Sequence, residues 1–160
     1  MLETAIGIAQ ALLVGLQALW LSLAVFLNLR RPRVNGALVE EVMTMRPVRQ
    51  FPEIFEEVGG QRCERPALHR WAFRLVVAAE CLVALALVAA TASLVASLAG
   101  AAAAEDARAL AILAVSGFTA IWAAFLIGGE WFAYWAGSPG LQQTHFFMTL
   151  WGIATLAVLV

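Results

Sequence analysis

The stretch Trp71–Leu98, WAFRLVVAAECLVALALVAATASLVASL, decides the fold. From Leu75 to Ala99 its only charged side chain is Glu80. About 20 apolar residues, rising about 1.5 Å each, cross a hydrocarbon core of about 30 Å, so this segment is long enough to span a bilayer as a helix. Lipid offers no hydrogen bonds to an open backbone, which leaves helices or closed barrels. The alternating segments of about ten residues that build a barrel are absent, so the spans are helical.

Three further segments follow the same pattern. The first covers about 4–29, interrupted by Gln10, Gln17 and Ser22, and stops at Arg30, Arg31, Pro32 and Arg33. The third, about 107–130, follows Glu105 and Asp106, and its apolar character continues toward Trp135. The fourth, about 141–160, is the shortest. Together with 71–98, they predict an all-α membrane protein, a four-transmembrane-helix bundle forming one domain over residues 1–160. Composition agrees, with 62% hydrophobic residues, 13% charged residues and a mean hydropathy of +0.84, against about 25% charged in soluble domains. A chain of 160 residues that spends this much length on spans has no room for a separate catalytic or nucleotide-binding domain. The first segment lacks a basic leader and a small-residue cleavage site, so it reads as a retained helix rather than an export signal.

The connection 30–70 carries Arg30, Arg31, Arg33, Arg46, Arg49, Arg62, Arg65 and Arg70, most of the 10 basic residues of the chain. The positive-inside rule places such a short basic segment in the cytoplasm, here of a bacterial inner membrane, with both termini periplasmic. Val39, Val42 and Met43, then Phe51, Ile54, Phe55 and Val58, recur at helical spacing. They predict two short amphipathic helices with acidic outer faces, lying on the bundle or at the lipid interface. Such a connection either caps the helix ends or forms a docking surface for another subunit.

Polar groups inside the spans are the functional leads, because a charge at the bilayer centre costs roughly 2.5–3.5 kcal/mol on insertion scales. Glu80 lies about 13 Å beyond Trp71 along its helix, which predicts a position near the midplane and a protonated acid. It is either a proton or ion site or a neutral acid bonded across helices to Gln17, Ser22 or a carbonyl. Gln10 and Gln17, seven residues apart, share one inward face and are its favoured partners. Glu130 stands among Trp131, Trp135, Gln142 and Gln143, an interfacial corner expected to tie Glu130 to Trp131 or Gln142 or to hold a quinone head group, lipid or partner subunit. His69 and His145, both near helix starts on one side of the membrane, are weak candidates for haem or metal. Cys63 and Cys81 sit at different depths and predict no disulfide. Phosphate loops, zinc-ligand pairs and nucleophile elbows are absent, and the arginines are too interspersed with glutamates for nucleic acid.

Pro66-Ala67-Leu68-His69-Arg70-Trp71-Ala72-Phe73, the run Val77-Ala78-Ala79-Glu80 and the string Ile127-Gly128-Gly129-Glu130-Trp131-Phe132-Ala133-Tyr134-Trp135 resemble the bacterial small integral membrane proteins grouped as domain of unknown function 2165. Gln142, Gln143, Phe146-Phe147-Met148-Thr149, Asn28, Asn35 and Val42-Met43-Thr44-Met45 fit the same family. The resemblance implies the four-helix arrangement and supplies no catalytic residue, substrate or cofactor. The arginine-rich connection departs from it.

These readings lead to a non-catalytic accessory subunit of a larger inner-membrane complex, such as a respiratory or other energy-transducing one. It needs no cofactor beyond a bound lipid or quinone, and its partners are the lipid bilayer and other membrane subunits. Two alternatives stay open: a small transporter or channel component using Glu80 as a proton site, and a quinone- or haem-binding electron-transfer protein.

Overall fold

A computed structural model of residues 1–160 consists of helices joined by short turns, without strands. The first helix, α1 (Leu2–Arg30), buries Gln10, Val14, Gln17, Leu21, Val25 and Asn28, a stripe whose steps of three and four residues follow the helical period. Its other faces turn Leu12, Leu16, Leu19, Leu23 and Phe26 outward, where lipid is their natural solvent. Pro32 ends α1 and opens α2 (Pro32–Met43), since a proline has no N–H to continue the ladder but suits the first helical turn.

The same device recurs along the chain. All 5 prolines stand in the first two positions of a helix: Pro32, Pro47 in the 3-10 turn Arg46–Gln50, Pro52 in α3 (Pro52–Val58), Pro66 in α4 (Pro66–Leu98) and Pro139 in α7 (Pro139–Leu159). Between α4 and α7 lie α5 (Ala104–Trp131) and the single turn α6 (Tyr134–Gly137). The two amphipathic helices expected in the connection are α2 and α3, with Val39, Val42, Met43, Ile54, Phe55 and Val58 partly covered and Glu40, Glu53, Glu56 and Glu57 exposed.

Around the bundle, α1 packs on α4, α4 on α5 and α5 on α7, while the seam between α1 and α7 is much thinner. Small residues allow the close approaches that hold helices together in lipid. Gly15 faces Thr91, Gly117 faces Val83, and a Cβ on Gly152 would overlap Thr119. The centre is aromatic, with Phe118 fully buried and in edge contact with Trp20, Trp122 and Trp151 at centroid separations of 6.5, 5.9 and 5.8 Å. This cluster fills the space a pore through the bundle would occupy.

Three helices, α1, α4 and α5, are long and apolar enough to cross a membrane, and the expected fourth span does not reach that standard. α7 is a continuous helix of 21 residues, but Gln142, Gln143, Thr144 and His145 make its first half polar. The run 141–160 is expected to span as a mostly apolar segment, and these clustered polar residues lower its apolarity below that of the other three.

At the arginine-rich end the connection folds back onto the bundle. Met45 and Ala133 both adopt the left-handed conformation, with φ of 53° and 49°, and both are buried in one small apolar cluster with Val48. Such strained backbone, about 1–2 kcal/mol for a residue with a side chain, persists where packing fixes it. Here the packing is supplied by Ile54, Phe55, Val58, Phe132 and Ala136. Gly137 completes the contact, since a Cβ there would come within 2.7 Å of Pro47.

Candidate functional site

Glu80 is buried, at 4% exposure, on the face of α4 that also carries Val77, Ala84 and Leu87. Its partner is neither Gln17 nor Ser22. The Asn28 side-chain amide donates to Glu80 Oε2 at 2.8 Å, and the Asn35 amide, on α2, donates in turn to Asn28 Oδ1. Asn28 lies in the last turn of α1 beside Arg30, so Glu80 sits level with the arginine-rich end of α1. The expected depth was counted from Trp71, but α4 begins at Pro66 and its first turns run past the end of α1 to pack on α2, where Gly36 faces Phe73. A polar chain therefore links a buried carboxyl, through a buried amide, to an exposed one.

Gln10 and Gln17 do point inward, but toward the last helix. Gln10 Nε2 donates to the carbonyl of Val158 at 2.9 Å, and Gln17 Nε2 donates to Thr155 Oγ1 at 3.0 Å and to the Trp151 carbonyl at 3.4 Å. They latch the thin seam between α1 and α7. Asn28 was legible as their continuation, because its 11-residue spacing from Gln17 returns to the same helical face.

The Glu130 corner opens outward. Glu130, Trp131, Trp135 and Gln143 are exposed, and Glu130 accepts no bond from Trp131 or Gln142. With Gln61, Leu126, Ile127, Gly128 and Trp131 it lines a shallow open concavity at the end of α5. The exposed face of α5 leading there carries Ser116, Ala120, Ala124 and Gly128 at four-residue steps. Tyr134 instead turns inside, its ring against Gly129, and burial together with the Glu130 carboxylate raises its phenol above the usual range.

The histidines lie in separate settings. His69 Nε2 contacts the Cys63 carbonyl at 2.8 Å, tying α4 to the connection. His145 is not at a free helix end. It lies among aromatic rings, with centroids 4.9 Å from Phe125, 5.6 Å from Trp122 and 5.8 Å from Tyr134. Cys63 and Cys81 are unpaired.

Residues 6–160 match the family model described as predicted small integral membrane protein (DUF2165). The chain belongs to that family. The DUF2165 match covers all seven α-helices, apart from the first turn of α1, and both polar clusters. No curated protein and no solved structure matches significantly. This DUF2165 chain is thus an integral membrane protein with three apolar spanning helices.

Proposed function

We propose that this DUF2165 protein is a non-catalytic accessory subunit that joins a larger inner-membrane assembly through the outward face of α5. The observation that carries this reading is the row Ser116, Ala120, Ala124 and Gly128, small residues at four-residue steps on the exposed side of a spanning helix. Gly128 has no packing reason within the chain, since a Cβ there would meet nothing within 4 Å. A glycine inside a helix costs about 1 kcal/mol relative to alanine in water, and close approach by another helix is what such small rows favour in lipid. The exposed Glu130 and Trp131 extend the face to the membrane boundary.

In this reading α7 crosses as a fourth span, with His145 of its polar first half packed among the rings of Trp122, Phe125 and Tyr134. The arginine-rich side is cytoplasmic. The test is native purification in mild detergent followed by mass spectrometry, comparing wild type with Ala120→Phe and Ala124→Phe. Stoichiometric recovery of a partner that both variants lose supports the proposal. Recovery of the chain alone, or a partner retained by both variants, removes it.

A second reading, proton handling in a transporter, draws on the Asn35–Asn28–Glu80 chain. That chain reaches only the arginine-rich side, and the aromatic centre fills the way beyond it. The reading then requires loss of flux in Glu80→Gln.

A further inference from the structure

Between α1 and α4 the surface dips into a groove of about 230 Å³, lined by Ser22, Val25, Cys81, Ala84, Leu85 and Val88. Both helices are spans, and Leu85 and Val88 are exposed, so the groove opens toward the bilayer interior. It is apolar apart from Ser22 and follows the helix seam, a shape suited to an acyl chain.

Arginines stand above it. On α4, Arg70, Arg74, Cys81, Leu85 and Val88 are separated by four, seven, four and three residues, so they fall on one helical face. Arg74 lies seven residues, about 10 Å, from Cys81 toward the arginine-rich end, about the height of a head group over the upper acyl chain. Its guanidinium is held over the Trp71 ring at 5.6 Å. On α1, Arg30 lies over Phe26 at 5.8 Å, and Phe26 is one turn beyond Ser22 of the groove.

These three arginines are exposed and unpaired. The ion pairs of the chain use Arg46, Arg49 and Arg62 with Glu40 and Glu64, all within the connection. The one acid near the groove, Glu80, is turned inward to Asn28. An apolar groove with guanidinium groups that lack acidic partners toward its arginine-rich end is complementary to a molecule with a fatty chain and an anionic head.

We infer that the seam between α1 and α4 is a binding site for one anionic phospholipid, with an acyl chain in the groove and its phosphate held by Arg70, Arg74 and Arg30. The site is separate from the outward face of α5, so it stands or falls independently of the accessory role. It also gives Arg70 and Arg74 a use that neither ion pairing nor orientation alone requires.

The experiment is native mass spectrometry of the full chain in mild detergent, titrated with phosphatidylglycerol or phosphatidylcholine. Wild type, Arg70→Gln/Arg74→Gln and Val88→Trp are compared. The two glutamines sit at exposed positions outside the core, and the tryptophan fills the groove from a side chain already facing lipid. Circular dichroism of each variant checks that the helices persist. The expected result is one retained phosphatidylglycerol in the wild type, in preference to phosphatidylcholine, and retention lowered about tenfold or more by the arginine pair. Val88→Trp lowers retention of both lipids. Equal retention of the two lipids by wild type, or an unchanged preference in Arg70→Gln/Arg74→Gln, overturns the head-group site. Undiminished binding in Val88→Trp overturns the acyl groove.

Discussion

The ring of Tyr134 occupies the space that a side chain on Gly129 would need. Gly129 is buried in the last turns of α5, and Tyr134 opens α6 immediately after the left-handed Ala133, so the contact sets the angle at which the chain leaves the span. Adding one methyl group forces the ring away. Gly129→Ala is expected to lower stability by about 1–3 kcal/mol, the usual range for overpacking, measured by thermal unfolding in detergent. Gly128→Ala, one residue earlier and facing open space, is expected to leave the isolated protein at least as stable. Equal losses in the two variants would contradict the geometry.

At Glu80, the carboxyl matters to stability as an acceptor for Asn28. Glu80→Gln keeps an acceptor oxygen and is expected to cost little. Glu80→Leu strands the Asn28 donor and is expected to cost about 1–3 kcal/mol. Unfolding of the two variants beside Asn28→Ala gives the comparison, and a leucine as benign as the glutamine would show that the bond carries no weight.

The latch between α1 and α7 is expected to be modest in energy. Interhelical hydrogen bonds in membranes average about 0.6 kcal/mol, so Gln17→Leu should destabilise by about that amount, and Gln10→Leu/Gln17→Leu by about twice it. A sharper readout is disulfide trapping across the seam between cysteines placed in α1 and α7 beside the Gln10–Val158 contact. The double leucine variant should alter its rate, while trapping across the broader contact of α1 with α4 stays constant.

Topology is open to labelling. In a Cys63→Ser/Cys81→Ser background, a cysteine at exposed Gln61 should react with an impermeant maleimide only from the cytoplasmic side. A tag after Val160 should be protected there and exposed on the opposite side. A tag reached from the same side as position 61 would mean that α7 does not cross.

Much of the fold was legible because lipid imposes a simple rule on α1, α4 and α5: about 20 mostly apolar residues, with Glu80 of α4 the one acid inside such a run. The prolines all stand at helix starts, a role that apolar run lengths do not reveal. What eluded a reading by segments was how far each helix runs past its neighbour. Glu80 was placed by counting from Trp71, while α1 ends early and brings Asn28, not Gln17, to its level. At the polar start of α7, His145 finds cover from the rings of Trp122, Phe125 and Tyr134, contributed by α5 and α6, while Gln143 and Thr144 stay exposed. The Glu130 corner was recognisable by its aromatic residues, but the left-handed turn at Ala133, after which Tyr134 is buried, has no warning in an alanine.

The two glutamine latches have a consequence for biogenesis. α1 is made well before α7, yet the acceptors for the amide nitrogens of Gln10 and Gln17 belong to Val158, Thr155 and Trp151 of α7. Until α7 arrives, two side-chain amides on an otherwise apolar helix lack these acceptors. The seam closes only when α7 meets α1, so a chain that lacks α7 leaves these amide donors without their acceptors.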